Sequence, residues 1–416
     1  MKRMKRTIGL AAALLALVAT TAFAEVYVTN VVCAQRYPWN GMVDIDYEVV
    51  ADDPDADVWV YCTGWDADLN ASMAPRALTG DGAGESVKPG QHRMTWNVTA
   101  DYPGFASTAF SVKMCALTGG APYMVVDLSG GVDALEYPVE YLSSVPAGGW
   151  GDEYKTTKMA FRLIPPGTFL MGSPTGELGR EGNSTYNAKE SQHQVALSDP
   201  FYIGIFEVTQ KQYEFVMGSN PSSSKGDMRP VAKVSYNAIR GSVNGAAWPA
   251  HNQVDANSFM GRLRSKANMM FDLPTEAQWE YACRAGTSTA LNSGKDLSAT
   301  GSCMNMAEVG WYTGNANQTQ QVGQKLPNAW GLYDMHGNVQ EWCLDWLQVD
   351  LGKSAVTDPR GPSSGNKDAR VIKGGTFYFG GGYGNPESCR SASRHFQTPS
   401  AGYDQTGFRV CCLPAD

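Results

Sequence analysis

The sequence predicts a small all-β sandwich domain followed by a larger α+β domain with much irregular structure. In the first part, apolar and polar residues alternate in short runs such as residues 43–49 and 110–114, which is typical of strands with one buried face. The second part is rich in Gly, Trp and Asn and has few helical signals. A chain of 416 residues with 43% hydrophobic residues is long enough to bury two cores.

The amino-terminal residues 1–24 have the features of a secretory signal peptide. Basic residues within 2–6 precede an apolar run over 8–18, which leads to the small-x-small sequence Ala22-Phe23-Ala24. The run is shorter than the about 20 residues that a membrane-spanning helix needs. We therefore expect a cleaved signal, no transmembrane anchor in the mature chain, and a secreted, periplasmic or cell-envelope location. An uncleaved membrane anchor is the alternative.

Residues 25–142 are predicted to form the sandwich, of immunoglobulin or fibronectin type. Turn-rich stretches at 52–55 and 88–91 separate the strand-like runs. The one histidine of this part, His92, has no cluster of partners nearby in sequence, so we expect no catalysis here. Residues 143–153 are rich in Pro and Gly and are predicted to be a linker, which leaves residues 154–412 as the larger domain.

Charge and motifs exclude several functions. The formal net charge of −8 falls to −12 when the four basic residues of the signal peptide are removed, so we expect no nucleic-acid partner. The sequence contains no phosphate-binding loop, nucleophile elbow or zinc-type motif.

Two helices of the larger domain can be predicted from their capping residues. Thr275 and Gln278 form a capping box in sequence, and Gly286 is suited to a left-handed stop. A second helix is predicted to start at Thr209 and to carry Tyr213 on its apolar face.

Five separated segments point to one family. They are IPPGTFLMGS at 164–173, FYIGIFEVTQ at 201–210, LPTEAQWEYACRAG at 273–286, NAWGLYDMHGNVQEW at 328–342, and GGT, CRS and GFR at 374–376, 389–391 and 407–409. With these segments in order, residues 154–412 resemble the formylglycine-generating enzymes, or sulfatase-modifying factors. The resemblance implies a variant of the C-type-lectin-like fold and leaves residues 25–142 unexplained.

The segment 334–341 is a candidate calcium site. Its two carboxylates flank a Gly-Asn turn, and such hard oxygen ligands suit calcium. The family binds a structural calcium here, so the resemblance implies side-chain ligands from Asp334 and Glu341 and backbone oxygens from Gly337 and Val339. The alternative is that the carboxylates only cap the local turn.

The catalytic cysteine pair of the family has no counterpart in this sequence. Family enzymes that make formylglycine hold copper between two thiolates spaced C-x4-C after a Gly-Gly-Ser turn, since thiolates select cuprous ions. Here no cysteine lies between Gly375 and Cys389. Counted from Gly375 the two positions are Phe379 and Gly384, and counted back from Arg390 or Arg394 they are pairs drawn from Phe377, Gly381, Gly382 and Pro386, so no alignment restores a thiol. We therefore assign no catalytic residue and expect neither copper nor formylglycine-generating activity.

The nine cysteines leave the disulfide pattern open. Export permits disulfides, and the resemblance suggests a bridge between Cys283 and Cys389. Cys343 competes as a partner, Cys303, Cys411 and Cys412 add further combinations, and Cys389 as a buried thiol is the other alternative.

Three functions fit these observations. The first is a non-catalytic domain that binds a protein, peptide or glycan ligand, with a ligand surface formed by Thr376, Phe377, Tyr378, Phe379 and Tyr383; ordinary core packing of those aromatic residues is the alternative. The second is an oxidase or a non-haem iron or copper oxidoreductase with an altered site, since Thr376 keeps the hydroxyl of the family's active-site serine. The third is a structural component of the cell envelope.

Overall fold

The computed structural model describes residues 26–68, 71–107, 109–118, 121–180, 189–378 and 384–412. The predicted signal peptide, Phe379 and Tyr383 lie outside these residues. Within the described ranges, no helix has both the length and the apolar composition needed to cross a membrane.

Residues 26–118 form two antiparallel sheets around one core. The strands are β1 (Val26–Gln35), β2 (Met42–Ala51), β3 (Val58–Asp66), β4 (Ala71–Met73), β5 (Leu78–Gly80), β6 (Gly90–Asn97) and β7 (Phe110–Thr118), with a short helix α1 (Val98–Asp101) after β6. One sheet has the order β1-β2-β6-β5 and the other β4-β3-β7. Alternate residues of β2, including Ile45 and Tyr47, are buried with Trp96 of β6 and Val60 of β3. The two sheets therefore share their buried faces.

The remaining described residues combine short helices with several small sheets. The strands are β8 (Tyr123–Asp127), β9 (Val139–Leu142), β10 (Lys158–Ile164), β11 (Gly167–Met171), β12 (His193–Leu197), β13 (Phe201–Gly204), β14 (Phe271–Asp272), β15 (Gly310–Trp311), β16 (His336–Gly337), β17 (Gln340–Trp346), β18 (Val356–Thr357), β19 (Arg370–Lys373), β20 (His395–Gln397), β21 (Thr406–Gly407) and β22 (Cys411–Cys412). The helices are α2 (Gln210–Met217), α3 (Tyr236–Arg240), α4 (Phe259–Ala267), α5 (Glu276–Arg284) and α6 (Met304–Val309). Parallel and antiparallel pairs coexist, and the α+β class with much irregular backbone is confirmed.

The largest sheet contains strands that precede and strands that follow the segment predicted to be a linker. Its order is β14-β22-β13-β10-β8-β9, and β10 pairs antiparallel with β8, so that Lys158 lies opposite Asp127. The sequence boundaries place β8 and β9 in the first domain, but these strands hydrogen-bond within a sheet of the second. The Pro and Gly content of residues 143–153 predicts a turn-rich connection, and it carries no information on which sheet the preceding strands join.

The six-stranded sheet lies between two hydrophobic cores. Met124 and Val126 of β8 belong to one core, and Val125 between them belongs to the other. Helices α2, α3 and α4 pack on the first side, and α5 packs on the second. The buried aromatic ring of Tyr213 on α2 stacks on Phe259 of α4 at 5.4 Å between centroids.

Both predicted helix starts are present, and one predicted stop is displaced. Thr275 and Gln278 make a reciprocal capping box at the start of α5, and Thr209 caps α2 in the same way. Helix α5 ends at Arg284, and its left-handed cap is Ala285 with φ 44°, one residue before the predicted Gly286. Gly286 also has a positive φ, and a Cβ there would lie 2.6 Å from Ala74 Cβ, so its missing side chain permits contact with the amino-terminal sheets.

A buried carboxylate joins β17 to the start of α5. Asp345 Oδ2 accepts a hydrogen bond from the backbone N–H of Glu276 at 2.7 Å, and Arg394 Nη2 donates to Glu276 Oε2 at 2.8 Å. Burial and the nearby charge of Glu276 raise the pKa of Asp345 to about 7. The folded protein therefore binds a proton at this position that the unfolded chain, with an aspartate pKa near 3.9, releases at lower pH.

This proton predicts a pH dependence of stability. The contribution of Asp345 is complete below about pH 4 and is lost as the pH rises through about 7, because the folded state binds more protons than the unfolded state over that interval. Asp345→Asn removes this contribution, so its free energy of unfolding should fall less than that of the wild type between pH 5 and 8, by at most about 1.4 kcal/mol per pH unit.

Urea denaturation of both proteins across this pH range measures the difference. The exposed Asp199→Asn serves as the matched control and should follow the wild type. Parallel pH profiles for the wild type and Asp345→Asn would contradict the assigned proton.

Candidate functional site

The site is organised around Asn338, a fully buried residue in the left-handed conformation with φ 58°. Its backbone N–H donates to Trp311 O at 2.8 Å. Its carbonyl oxygen accepts from the backbone N–H of Phe377 at 3.2 Å and from Thr376 Oγ1 at 3.1 Å. The main chain of Asn338 therefore holds the segment 376–378 in place.

The carboxamide of Asn338 holds a second loop and a buried acid. Its Oδ1 accepts from the backbone N–H of Gln320 at 2.9 Å, and its Nδ2 donates to Glu207 Oε2 at 2.7 Å. Glu207 Oε1 also accepts from Val339 N–H at 3.0 Å. Burial, together with the charges of Asp334 and Glu341, raises the pKa of Glu207 well above its ordinary value.

A cavity of about 200 Å³ lies beside these bonds, and we call it the Tyr378 groove. It is lined by Ser223, Ser224, Ala232, Asn317, Gln318, Thr319, Phe377, Tyr378 and Asp404. The buried side chain of Gln210, the first residue of α2, supports the serine wall because its Nε2 donates to Ser224 O at 2.8 Å. The opposite wall continues into Gln320, which Asn338 holds.

Two aromatic side chains and one threonine determine the chemistry of the groove surface. Tyr378 is 47% exposed, and its ring meets the ring of Phe377 edge-on at 6.3 Å between centroids. Thr319 is 2% exposed, and its Oγ1 has no hydrogen-bond partner among the described residues. The groove therefore combines an accessible aromatic face with a buried hydroxyl that has unused hydrogen-bonding capacity.

The structure separates the residues of the predicted ligand surface. Phe377 and Tyr378 line the groove, whereas Thr376 is fully buried and turns its hydroxyl toward Asn338 O. Phe379 and Tyr383 lie outside the described residues. Sequence reasoning missed Ser223, Thr319 and Asp404, which are far apart in the chain and carry no shared motif.

The second position expected for a thiol is too crowded for a side chain. Thr313 donates to Gly384 O from both its backbone N–H and its Oγ1, each at 3.0 Å. A Cβ built on Gly384 would lie 2.2 Å from Tyr378 O. A cysteine therefore requires the backbone at one of these residues to move.

All nine cysteines fall in the described ranges, and all nine are free thiols. The predicted bridge between Cys283 and Cys389 is not formed. Cys283 Sγ lies 3.6 Å from Ser391 Oγ, and Cys389 Sγ lies 3.9 Å from Thr376 O. Burial raises the pKa of both thiols to about 12, which keeps them protonated and weakly nucleophilic at neutral pH.

The four predicted calcium ligands fit the ion only in part. Asp334 Oδ1 is buried without a hydrogen-bond partner among the described residues, as a metal ligand would be, while Oδ2 accepts from Gly323 N–H at 2.6 Å. Both oxygens of Glu341, by contrast, accept from Arg409, and Oε2 also accepts from Trp279 Nε1 at 2.7 Å. An ion at this position must therefore displace or compete with the Arg409 guanidinium.

Outside the predicted calcium site, the described carboxylates, thiols and imidazoles form no further candidate metal centre. Across the part of the chain that the structure describes, no three His, Cys, Asp or Glu side chains are grouped so that they could hold an ion.

Residues 151–412 match the family model of the sulfatase-modifying factor enzyme 1-like domain. The chain belongs to this family. The match confirms the resemblance drawn from the five segments. It begins three residues before the domain start predicted from the sequence and ends at the same residue.

The sulfatase-modifying-factor domain is similar to several known proteins. The chaperone protein LppX of Paenibacillus barcinonensis is 37% identical over 197 residues, which are 39% of this chain and 68% of that protein. The formylglycine-generating enzyme of Thermomonospora curvata is 39% identical over 158 residues, which are 34% of this chain and 49% of the enzyme. The mouse formylglycine-generating enzyme is 27% identical over 59% of this chain and 73% of its own length.

Two solved structures also resemble the chain. Treponema denticola variable protein 1 has 27% identity and a TM-score of 0.48, covering 62% of this chain and 96% of its own. PvdO from Pseudomonas aeruginosa has 25% identity and a TM-score of 0.46, covering 61% and 94%. The match to the Thermomonospora enzyme spans about half of that enzyme.

The role of Asn338 can be tested with Asn338→Asp, which keeps the size of the side chain. The substitution removes the donor to Glu207 and places a second acid beside it, so we expect a loss of about 2–3 kcal/mol in the free energy of unfolding. Chemical denaturation measures the change. The exposed Asn257→Asp is the control and should alter stability by less than about 0.5 kcal/mol. Similar losses in both variants would contradict the role assigned to Asn338.

The crowding at Gly384 predicts that a side chain at this position destabilises the fold. Gly384→Ala should lower the free energy of unfolding by about 1–3 kcal/mol because its Cβ overlaps Tyr378 O. Gly301→Ala is the matched control, since nothing lies within 4 Å of a Cβ at that position. Thermal denaturation distinguishes them, and an unchanged melting temperature for Gly384→Ala would show that the site accepts a side chain.

Proposed function

We propose that this protein is an exported ligand-binding member of the sulfatase-modifying-factor family, in which the Tyr378 groove binds a peptide segment or a glycan. The observation that carries the proposal is Gly384, where a side chain would overlap Tyr378 O. The groove beside it is open and displays an exposed aromatic ring. Recognition needs the groove alone, whereas formylglycine formation needs two thiolates at positions occupied by Phe379 and Gly384.

The chemistry of two buried cysteines supports the same proposal. Cys283 and Cys389 are fully buried, and their raised pKa values keep them in the neutral thiol form. Cys389 Sγ also lies beneath the Gly-Gly turn, since a Cβ on Gly375 would be 2.4 Å from it. These thiols contribute to packing.

The alternative is a copper- or iron-dependent oxidoreductase with an altered site. Its sequence support was the hydroxyl of Thr376, but that hydroxyl donates to Asn338 O and not to the groove. No described contact favours this alternative over ligand binding.

The amino-terminal part is proposed to be an immunoglobulin-like sandwich that carries a lectin-like domain outside the cytoplasm. The two sheets with a common core support the sandwich, and the signal-like residues 1–24 support export. Thr63 Oγ1 donates to Pro166 O at 3.3 Å, which joins β3 to the chain just before β11.

The chemical half of the proposal is tested on the purified mature protein. Metal analysis should find no stoichiometric copper or iron, and oxygen consumption should not rise when cysteine-containing sulfatase peptides are added. One copper per chain together with peptide oxidation would overturn the proposal.

Calcium binding by Asp334, Gly337, Val339 and Glu341 stays a prediction. Asp334 Oδ1, which has no hydrogen-bond partner in the described part of the chain, supports it. Competition with Arg409 should keep the affinity low, near the 10⁻⁴–10⁻³ M that is typical of extracellular calcium modules. Millimolar calcium should therefore raise the melting temperature relative to a chelator in the wild type but not in Asp334→Asn. A wild type that does not respond would reject the site.

A further inference from the structure

We infer that the Tyr378 groove binds the terminal ring of an uncharged saccharide. This inference rests on the proposed ligand-binding function and chooses between its two ligand classes. It is carried by the chemistry of the lining residues, by the Thr319 hydroxyl, which has no partner among the described residues, and by the exposed Tyr378.

The lining residues suit a ligand that carries many hydroxyl groups and no negative charge. Six of the nine bear a hydroxyl or carboxamide, namely Ser223, Ser224, Asn317, Gln318, Thr319 and Tyr378. Such groups both donate and accept hydrogen bonds, as sugar hydroxyls do. None of the lining residues is Lys or Arg, and Asp404 contributes a carboxylate. A sulfated, phosphorylated or carboxylated ligand would find no cation among them and would face the charge of Asp404.

Two of the lining residues have hydrogen-bonding capacity that a ligand can use. The Thr319 hydroxyl is buried with no hydrogen-bond partner among the described residues, which is unfavourable because its lost hydration is not replaced, and a ligand hydroxyl in the groove would recover part of that free energy. Asp404 Oδ1 accepts from Ser223 Oγ at 2.6 Å, and a carboxylate has room for further donors.

Tyr378 supplies the apolar part of the recognition. The residue is about half exposed, and its ring meets the ring of Phe377 edge-on. The C–H face of a pyranose ring can pack on the exposed aromatic face while its hydroxyls point to the polar walls.

Secondary structure at the groove favours the saccharide over an extended peptide. Peptides that bind in extended form commonly add a strand to an open sheet edge. Every residue that lines the Tyr378 groove lies outside the strands, so the groove offers side chains in place of a backbone edge. The volume of the groove is about 200 Å³, whereas pockets for drug-sized ligands start at about 300 Å³. The groove therefore fits one terminal sugar ring, with the rest of the glycan in solvent.

The test uses the mature protein and three probe sets: methyl glycosides of neutral hexoses and N-acetylhexosamines, the same sugars in sulfated form, and cysteine-containing sulfatase peptides. Isothermal titration calorimetry and saturation-transfer NMR measure binding. We expect a neutral sugar to bind, its sulfated form to bind at least tenfold more weakly, and Tyr378→Ala to weaken the neutral sugar at least tenfold. Tyr27→Ala is the control, because Tyr27 is 48% exposed and lies on the distant β1.

Thr319→Val separates recognition from folding. Its hydroxyl has no partner among the described residues, so the isosteric change should leave the melting temperature unchanged or raised while sugar affinity falls about fivefold to tenfold. Unchanged affinity in Thr319→Val would overturn the assignment of that hydroxyl to the ligand.

The remaining outcomes distinguish the inference from the proposed function. Peptide binding that depends on Tyr378, with no sugar binding, would overturn the saccharide and leave the ligand-binding function standing. Equal affinity for neutral and sulfated sugars would overturn the uncharged ligand. Binding of neither class in a Tyr378-dependent manner would overturn both.

Discussion

One buried asparagine joins several loops of the sulfatase-modifying-factor domain through both its main chain and its carboxamide. Asn338 bonds to Trp311, Gln320 and Phe377, three points that no common sheet joins, and its Nδ2 reaches the buried acid Glu207. A left-handed backbone brings the carbonyl and the side chain to these partners together, and asparagine tolerates this conformation better than most residues do. The groove walls therefore depend on one residue that lies outside the cavity.

Buried ion pairs perform a comparable task across the rest of the domain. Arg409 pairs with Glu341, Arg394 with Glu276, and Lys373 with Glu280, and all six side chains are almost fully buried. Long charged side chains can satisfy several backbone carbonyls at once, as Arg409 does with Gly204 and Tyr333. In a domain with short strands and few helices, such side chains satisfy polar groups that regular ladders satisfy elsewhere. The same use of Glu341 by Arg409 explains why its carboxylate is a poor free ligand.

Local sequence signals predicted the local structure well. The capping box at Thr275 and Gln278 needs only neighbouring residues, and α5 begins where it indicates. The family assignment also came from motifs that can be read along the chain. Features made by distant residues were not accessible: Ser223 meets Asp404 across 181 positions, and the hydroxyl of Thr376 turns inward because of Asn338. The left-handed cap lies at Ala285, one residue before Gly286, and the close approach of Gly286 to Ala74 is a tertiary contact that local propensity does not contain.

The six-stranded sheet joins the parts of the chain on either side of the Pro- and Gly-rich segment, and this connection has a mechanical consequence. Strands β8 and β9 lie before residues 143–153, and β10 lies after them, yet β8 and β10 share a ladder of five residue pairs. Cleavage of the chain in this segment would therefore leave two fragments held together by the sheet and by the apolar residues on both of its faces. A pulling force applied at the amino terminus would reach the larger domain by shearing this ladder, so the segment is a loop within a connection that transmits force and not a hinge between independent bodies.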